Sequence, residues 1–144
     1  MTYTYSVECP SFEKIKQFLY ESKDEYEKPL NERIDIEQYA LKLYSKSSFV
    51  ICKDKKSIIG MICCYTNRPP IGYISNVCIL SKYQGKGIFK HMFIKLIQLC
   101  NQQNIKTIQL EVGKINLKAY NVYKHFGFIP YSETSTSLYM KKTL

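Results

Sequence analysis

The densest chemistry in the chain lies between Val77 and Phe89. An apolar, β-branched run ends at Ile79-Leu80, and Gln84-Gly85-Lys86-Gly87 then opens a stretch in which Ile88, Phe89, Met92, Phe93, Leu96 and Cys100 recur at helical spacing. A strand that passes through a glycine turn into a helix makes a ready anion site. The first N–H groups of a helix lack intrahelical partners, and the helix dipole favours negative charge there. Glycine accepts positive φ and lets backbone come close to a phosphate, and Lys86 adds a mobile cation. The spacing matches neither the P-loop consensus nor the dinucleotide fingerprint.

A second group lies downstream. Leu110-Glu111-Val112 alternates as a strand and puts the Glu111 carboxylate on the face opposite its apolar neighbours. Asn116, Ala119 and Tyr123 follow on a helical segment that Gly127 ends, and Phe128 resumes the apolar pattern. Together the two segments resemble the GNAT superfamily, the Gcn5-related N-acetyltransferases. The family's Gln/Arg-x-x-Gly-x-Gly/Ala segment is similar to Gln84, Gly85, Gly87 and the turn into the helix, with Phe89 standing where Gly or Ala is usual. Its later Asn-x-x-Ala-x-x-x-Tyr-x-x-x-Gly-Phe segment is similar to Asn116, Ala119, Tyr123, Gly127 and Phe128. The resemblance covers about residues 48 to 142 well and the N-terminal third in layout only. Helical spacing groups Phe89 with Met92, Phe93 and Leu96, so its ring is expected in the core and the backbone-made phosphate contact survives it.

The resemblance implies an α/β domain over residues 1–144 with the GNAT fold: one mixed central sheet whose two parallel strands splay apart, flanked by about four helices. It implies acetyl-CoA as co-substrate and no metal. Val77 and Ile79 would offer backbone groups to the pantetheine arm, and an N–H near Cys78 would polarise the thioester carbonyl. Gln84, Gly85, Lys86, Gly87, Ile88 and Phe89 would cradle the diphosphate, and Asn116 would hold the pantetheine or position its helix. Tyr123 matches the family's general acid; its phenol has one proton to give.

The base is less defined. Many relatives carry a Glu on the strand before the glycine turn, where this chain has Ser75 and Asn76. Glu111 is the best carboxylate, and a water chain aligned by Ser75 or Asn76 is the alternative. A covalent route through Cys78 is disfavoured, because its apolar neighbours raise a thiol pKa and no histidine is placed beside it.

The N-terminal third builds the acceptor side in this family. Arg33 and Asn67 are the candidates there for holding a polar or anionic acceptor, with Ser75 beside them. A small-molecule amine, such as an amino sugar or sugar nucleotide, is the leading acceptor; a peptide N-terminus is the alternative that Glu111 favours. A polyamine fits a chain of net charge +9 poorly. A CoA-binding regulatory module and a basic nucleic-acid binder compete from other classes. Tyr123 argues against the first, and the lack of an Arg/Lys-dense helix or an RNA- or zinc-finger pattern against the second. A homodimer is compatible with the resemblance.

The elements that must hold these groups follow from pattern. Thr2–Val7 alternates as a strand, and Ser11 starts a helix carrying Phe12, Ile15, Phe18 and Leu19. Residues 21–33, charged and interrupted by Pro29, read as a loop or broken helix. Asp35 caps a helix with Ile36, Tyr39, Ala40, Leu43 and Tyr44 on one face. Ser48–Cys52 and Ser57–Tyr65 form a hairpin around Lys53–Lys56; Ile71–Leu80, Thr107–Val112, Phe128–Tyr131 and Ser137–Met140 supply the remaining strands. The chain has 144 residues, 45% hydrophobic and 23% charged, which fits one globular domain and excludes a disordered chain. No apolar run reaches the ~18 residues of a membrane span, and Met1–Ser6 lacks the pattern of a signal peptide, so a cytoplasmic location is expected. Four of the six cysteines sit in apolar runs and there is no CxxC, so reduced core thiols are expected rather than disulfides or a metal site.

Overall fold

The computed structural model describes residues 2–26 and 29–144. The chain order is β1 (Tyr3–Val7), α1 (Phe12–Glu21), α2 (Leu30–Arg33), α3 (Ile36–Lys46), β2 (Ser48–Asp54), β3 (Ser57–Tyr65), β4 (Ile71–Ile79), α4 (Ile88–Gln102), β5 (Thr107–Gly113), α5 (Leu117–His125), β6 (Ile129–Glu133) and β7 (Ser137–Thr143). Short 3-10 turns lie at Lys23–Glu25 and Ser81–Tyr83. The strands form one mixed sheet in the order β1-β2-β3-β4-β5-β7-β6. Its ladders are antiparallel except β4 with β5, which run parallel.

Local sequence explains the helix ends. Ser11 accepts from the Lys14 N–H and Asp35 from the Gln38 N–H, each closing a helix start. Phe126 and Gly127 close α5 with two bonds. The Gly127 N–H reaches the Lys124 carbonyl at 3.0 Å, and the Phe128 N–H reaches the Tyr123 carbonyl at 3.0 Å. Gly127 holds φ +95°, as this Schellman closure requires.

Both sheet faces are covered. On one side α4 and α5 bury Ile88, Met92, Phe93, Leu96 and Cys100 against Ile108, Leu110, Val112 and Met140. On the other, α1 and α3 bury Ile15, Phe18, Leu19, Ala40 and Leu43 against Phe49, Ile51, Met61 and Cys63. Adjacent Cys63 and Cys64 thus enter opposite cores, as strand alternation demands. All six cysteines are free thiols and five are buried.

Two expectations need correction and a third is resolved. Within residues 21–33, read as a loop or broken helix, the described residues take the broken form, a 3-10 turn and the one-turn helix α2 anchored by buried Leu30, while Glu27 and Lys28 lie outside the described residues. The β2–β3 turn is only Lys55-Lys56, with Asp54 paired to Ser57 and Lys55 at φ +58°. Strand β7 continues past Met140 to Thr143, because β5 offers it partners along its whole length.

Strand β4 positions the site. It pairs with β5 only at Ile71, Gly72 and Tyr73, opposite Thr107, Ile108 and Gln109. On its other edge Asn76 pairs with Cys63 and Ile74 with Cys64, so Ser75 is an extra residue in a bulge. Ile74 therefore joins the core beneath α4, while Cys78 joins the core beneath α1 and α3.

Candidate active site

Beyond Tyr73 the two parallel strands have no ladder between them, and a cleft of about 550 Å³ occupies that side of the molecule. One wall is Tyr73–Val77 of β4, and the facing wall is Glu111–Gly113 of β5. Glu25, Tyr26, Leu30, Arg33 and Ile34, with Tyr39 of α3, contribute from one sheet face, Asn116, Ala119 and Tyr123 from the other. The cleft therefore reaches from the α1–α3 layer through to the α4–α5 layer.

Tyr123 is held by its backbone and its ring. Its carbonyl takes the Phe128 N–H of the α5 closure, and its ring meets Phe128 at 5.8 Å and Phe89 at 6.2 Å. Phe89 in turn stacks on Phe93 at 5.6 Å and meets Phe126 edge-on at 5.1 Å. Phe89 thus packs into this aromatic cluster. Burial pushes the Tyr123 phenol up to about 12, so it keeps its proton at neutral pH. Asn116 accepts from the Ala119 N–H at 3.1 Å and so fixes the start of α5.

The opposite wall carries a neutral hydrogen-bonded chain. Tyr39 donates to the Ser75 carbonyl at 3.1 Å and accepts from the Asn76 amide nitrogen at 3.3 Å. The Asn76 oxygen accepts from the Tyr26 hydroxyl at 3.1 Å. The polarity is fixed, since a carbonyl only accepts. Burial raises both phenols, Tyr39 to about 12, and Tyr26 further. Tyr73 is raised as well, by burial first and by the nearby Glu111 second. Sequence reasoning missed Tyr26, Tyr39 and Tyr73 as site residues, because nothing distinguishes them among 13 tyrosines until the sheet brings them together.

The glycine turn sits at the end of β4. Gly85 and Gly87 hold φ +77° and +76°, and no atom lies within 4 Å of where either would carry a Cβ. No side chain caps α4, and its first turn carries no acidic residue. Open space, N–H groups left without a cap and flanking lysines fit a diphosphate. Gln84 is engaged locally: its amide nitrogen donates to the Ile79 carbonyl at 2.8 Å, and its oxygen accepts from Lys118 at 3.2 Å. Ile88 is buried beneath the turn, while Lys86 is exposed.

The remaining candidates divide. Arg33, Ser75, Val77, Glu111 and Asn116 line the cleft with Tyr123. Asn67 does not; it is exposed in the loop before β4 begins, whereas the cleft opens along the later part of that strand. Cys78 lies in the core with its thiol pushed up to about 11 by burial, which leaves it no nucleophile's role. Among the described residues, no cluster of three His, Cys, Asp or Glu side chains is placed to hold a metal, and no helix is long and apolar enough to cross a membrane.

Comparison with known proteins bears on this arrangement. The profile of the acetyltransferase (GNAT) family matches residues 12–128. A putative ribosomal protein bS18-alanine N-acetyltransferase from Bacillus subtilis is 32% identical over 57 residues, 40% of this chain and 38% of that relative. The chain thus matches about two fifths of that relative's length. The ribosomal-protein-S18-alanine N-acetyltransferase from Escherichia coli superposes with a TM-score of 0.80 at 14% identity, covering 99% of this chain and 94% of that one. The PaiA N-acetyltransferase from Thermoplasma acidophilum, solved in complex with coenzyme A, gives 0.77 at 14% identity, covering 98% and 99%. At such identities the likeness is one of fold.

Proposed function

This chain belongs to the acetyltransferase (GNAT) family, an enzyme family that uses acetyl-CoA, and from that premise we propose that it transfers the acetyl group of acetyl-CoA directly to a primary amine. The observation that carries this reading is the parting of β4 and β5 after Tyr73, with Tyr123 and Glu111 both lining the gap.

When bound, acetyl-CoA supplies an acyl group activated as a thioester and a thiolate leaving group. Gly85 to Phe89 and Lys86 hold its diphosphate through the uncapped start of α4. The backbone of Val77 and Ile79 faces the pantetheine arm, and the N–H near Cys78 donates to the thioester oxygen. The acceptor enters from the α1–α3 side. An alkylamine of pKa about 10 arrives charged at neutral pH. Glu111 takes its proton and frees the nitrogen lone pair. A C–N bond forms, the C–S bond breaks, Tyr123 gives its proton to the departing sulfur, and the second proton lost by the nitrogen restores the Tyr123 phenol. Burial keeps the phenol protonated at neutral pH, so the proton is present when the sulfur departs.

The acceptor class is a small-molecule amine in the first reading. The Bacillus subtilis relative's name favours a second, the α-amine of a polypeptide, with exposed Glu111 as its anchor. The test of the activity is calorimetric titration with acetyl-CoA and with acetyl-pantetheine, followed by thiol release from acetyl-CoA in the presence of an amine panel. Binding that weakens sharply without the nucleotide diphosphate, and amine-dependent thiol release, are expected. Absence of acetyl-CoA binding overturns the reading.

A further inference from the structure

Among the described residues, three charged ones line the cleft: Glu25, Arg33 and Glu111. Glu25 is already engaged, accepting from the Ser81 N–H at 2.9 Å. The wall between the other two is neutral, since Tyr26, Tyr39 and Asn76 satisfy one another and burial holds both phenols protonated. Among the described residues, an acceptor entering from the α1–α3 side therefore meets one free carboxylate, on β5, and one guanidinium, at the end of α2. Both are exposed to the cleft, and among the described residues neither takes part in an ion pair.

The identity of the cation matters. Of the chain's 21 basic residues only two, Arg33 and Arg68, are arginine. Lysine answers almost every other need for positive charge in this protein, yet the cleft holds arginine. A guanidinium presents a rigid fork that pairs with a carboxylate through two parallel hydrogen bonds, which lysine's point charge does not reproduce. A simple monoamine would leave that fork facing water, and a diamine would set its second cation against it. An acceptor carrying both an amine and a carboxylate satisfies both charges at once.

We propose that the acceptor is a small zwitterion, a primary amine whose carboxylate is taken by Arg33 while its amine faces Glu111. This rests on the acetyl-transfer reading and names the acceptor's chemical class. Arg33 is then the specificity-determining residue.

The test uses the full chain with acetyl-CoA and a ladder of probes: glycine, β-alanine, 4-aminobutyrate and 6-aminohexanoate, each beside its carboxamide, and an alanine-initiated peptide amide without acidic residues. The longer acids and amides have amines of nearly equal basicity, so their ratio reports the carboxylate alone. At one chain length the acid is expected to exceed its amide in kcat/KM by about 10- to 100-fold, the range of a charge-assisted pair. Arg33→Gln should bring that ratio to about one, by raising KM for the acid. Arg33→Lys should fall between, since it keeps the charge and loses the fork. Retained acetyl-CoA binding by calorimetry shows that each variant is folded. Equal turnover of acids and amides, a peptide amide better than every acid, or an acid-to-amide ratio unmoved by Arg33→Gln overturns the proposal and leaves the acetyl-transfer reading standing. A wild-type protein that binds acetyl-CoA and acetylates no amine in the panel overturns both.

Discussion

The Phe89 ring stands edge-on to Tyr123, with centroids 6.2 Å apart and planes at 71°. Phe89 lies in the first turn of α4, directly after the glycine turn. Here it packs among Phe93, Phe126 and Tyr123 and buttresses the ring that carries the candidate acid. The space around the glycine turn stays open, and the Phe89 side chain packs away into the aromatic cluster.

Phe89→Ala should therefore do two things. It should lower stability by about 2 to 3 kcal/mol, less than a fully buried Phe because the ring is only half-buried. It should also lower kcat beyond what the lost stability explains, because Tyr123 loses an edge contact. Urea unfolding and thiol-release kinetics on the same preparation check both; an unchanged kcat would remove Phe89 from any positioning role.

Tyr123→Phe removes one oxygen and keeps the ring contacts with Phe89 and Phe128. Turnover should fall by about 100-fold or more, the usual worth of a positioned general acid, while the dissociation constant of acetyl-CoA barely moves. A variant with wild-type kcat would assign the proton to water.

Gly87→Ala places a side chain at φ +76° with open space around it. The cost is backbone strain rather than collision, about 1 kcal/mol. Acetyl-CoA should bind more weakly while acetyl-pantetheine, which has no diphosphate, is unaffected. Equal weakening of both would place the effect elsewhere than at the phosphate turn.

Stability should decline in alkali in a defined window. Burial raises the Cys78 thiol to about 11 from 9.0, and the Tyr39 and Tyr123 phenols to about 12 from 10.0. Below pH 9 these groups are protonated in both folded and unfolded chains and add no slope. From there upward the unfolded chain releases protons that the folded chain retains, so stability falls until the folded groups ionise near pH 11 to 12. Urea midpoints measured under reducing conditions from about pH 7 to 11 should be level at first and then descend; a level profile throughout would contradict the burial of these groups.

Much of the site was legible from local pattern. The glycine turn, the cap at Asn116, the closure at Gly127 and the stacking of Phe89 on Phe93 all follow from residues within a few positions of one another. Asn67 shows where that reasoning ends. It lies close to β4 in sequence, but at the end where β4 and β5 are still paired, so nearness along the chain put it at the end of the strand away from the cleft. Tyr26 and Asn76 show the converse, as they are 50 residues apart and share a hydrogen bond at 3.1 Å.

By itself the sequence determined most of which stretches are helix or strand, which face of each is apolar, where a glycine turn opens a helix, and that the cysteines in apolar runs are core residues. Those properties depend on periodicity and on backbone preferences at single positions, and they are written locally. The tertiary structure alone decided that β4 and β5 separate after Tyr73, that the Ser75 bulge turns Asn76 toward Tyr26 and Tyr39, and that Arg33 and Glu111 face one cleft. Strand order and register set those meetings. They result from how two apolar layers close on one sheet, a property of the whole chain that no single segment carries.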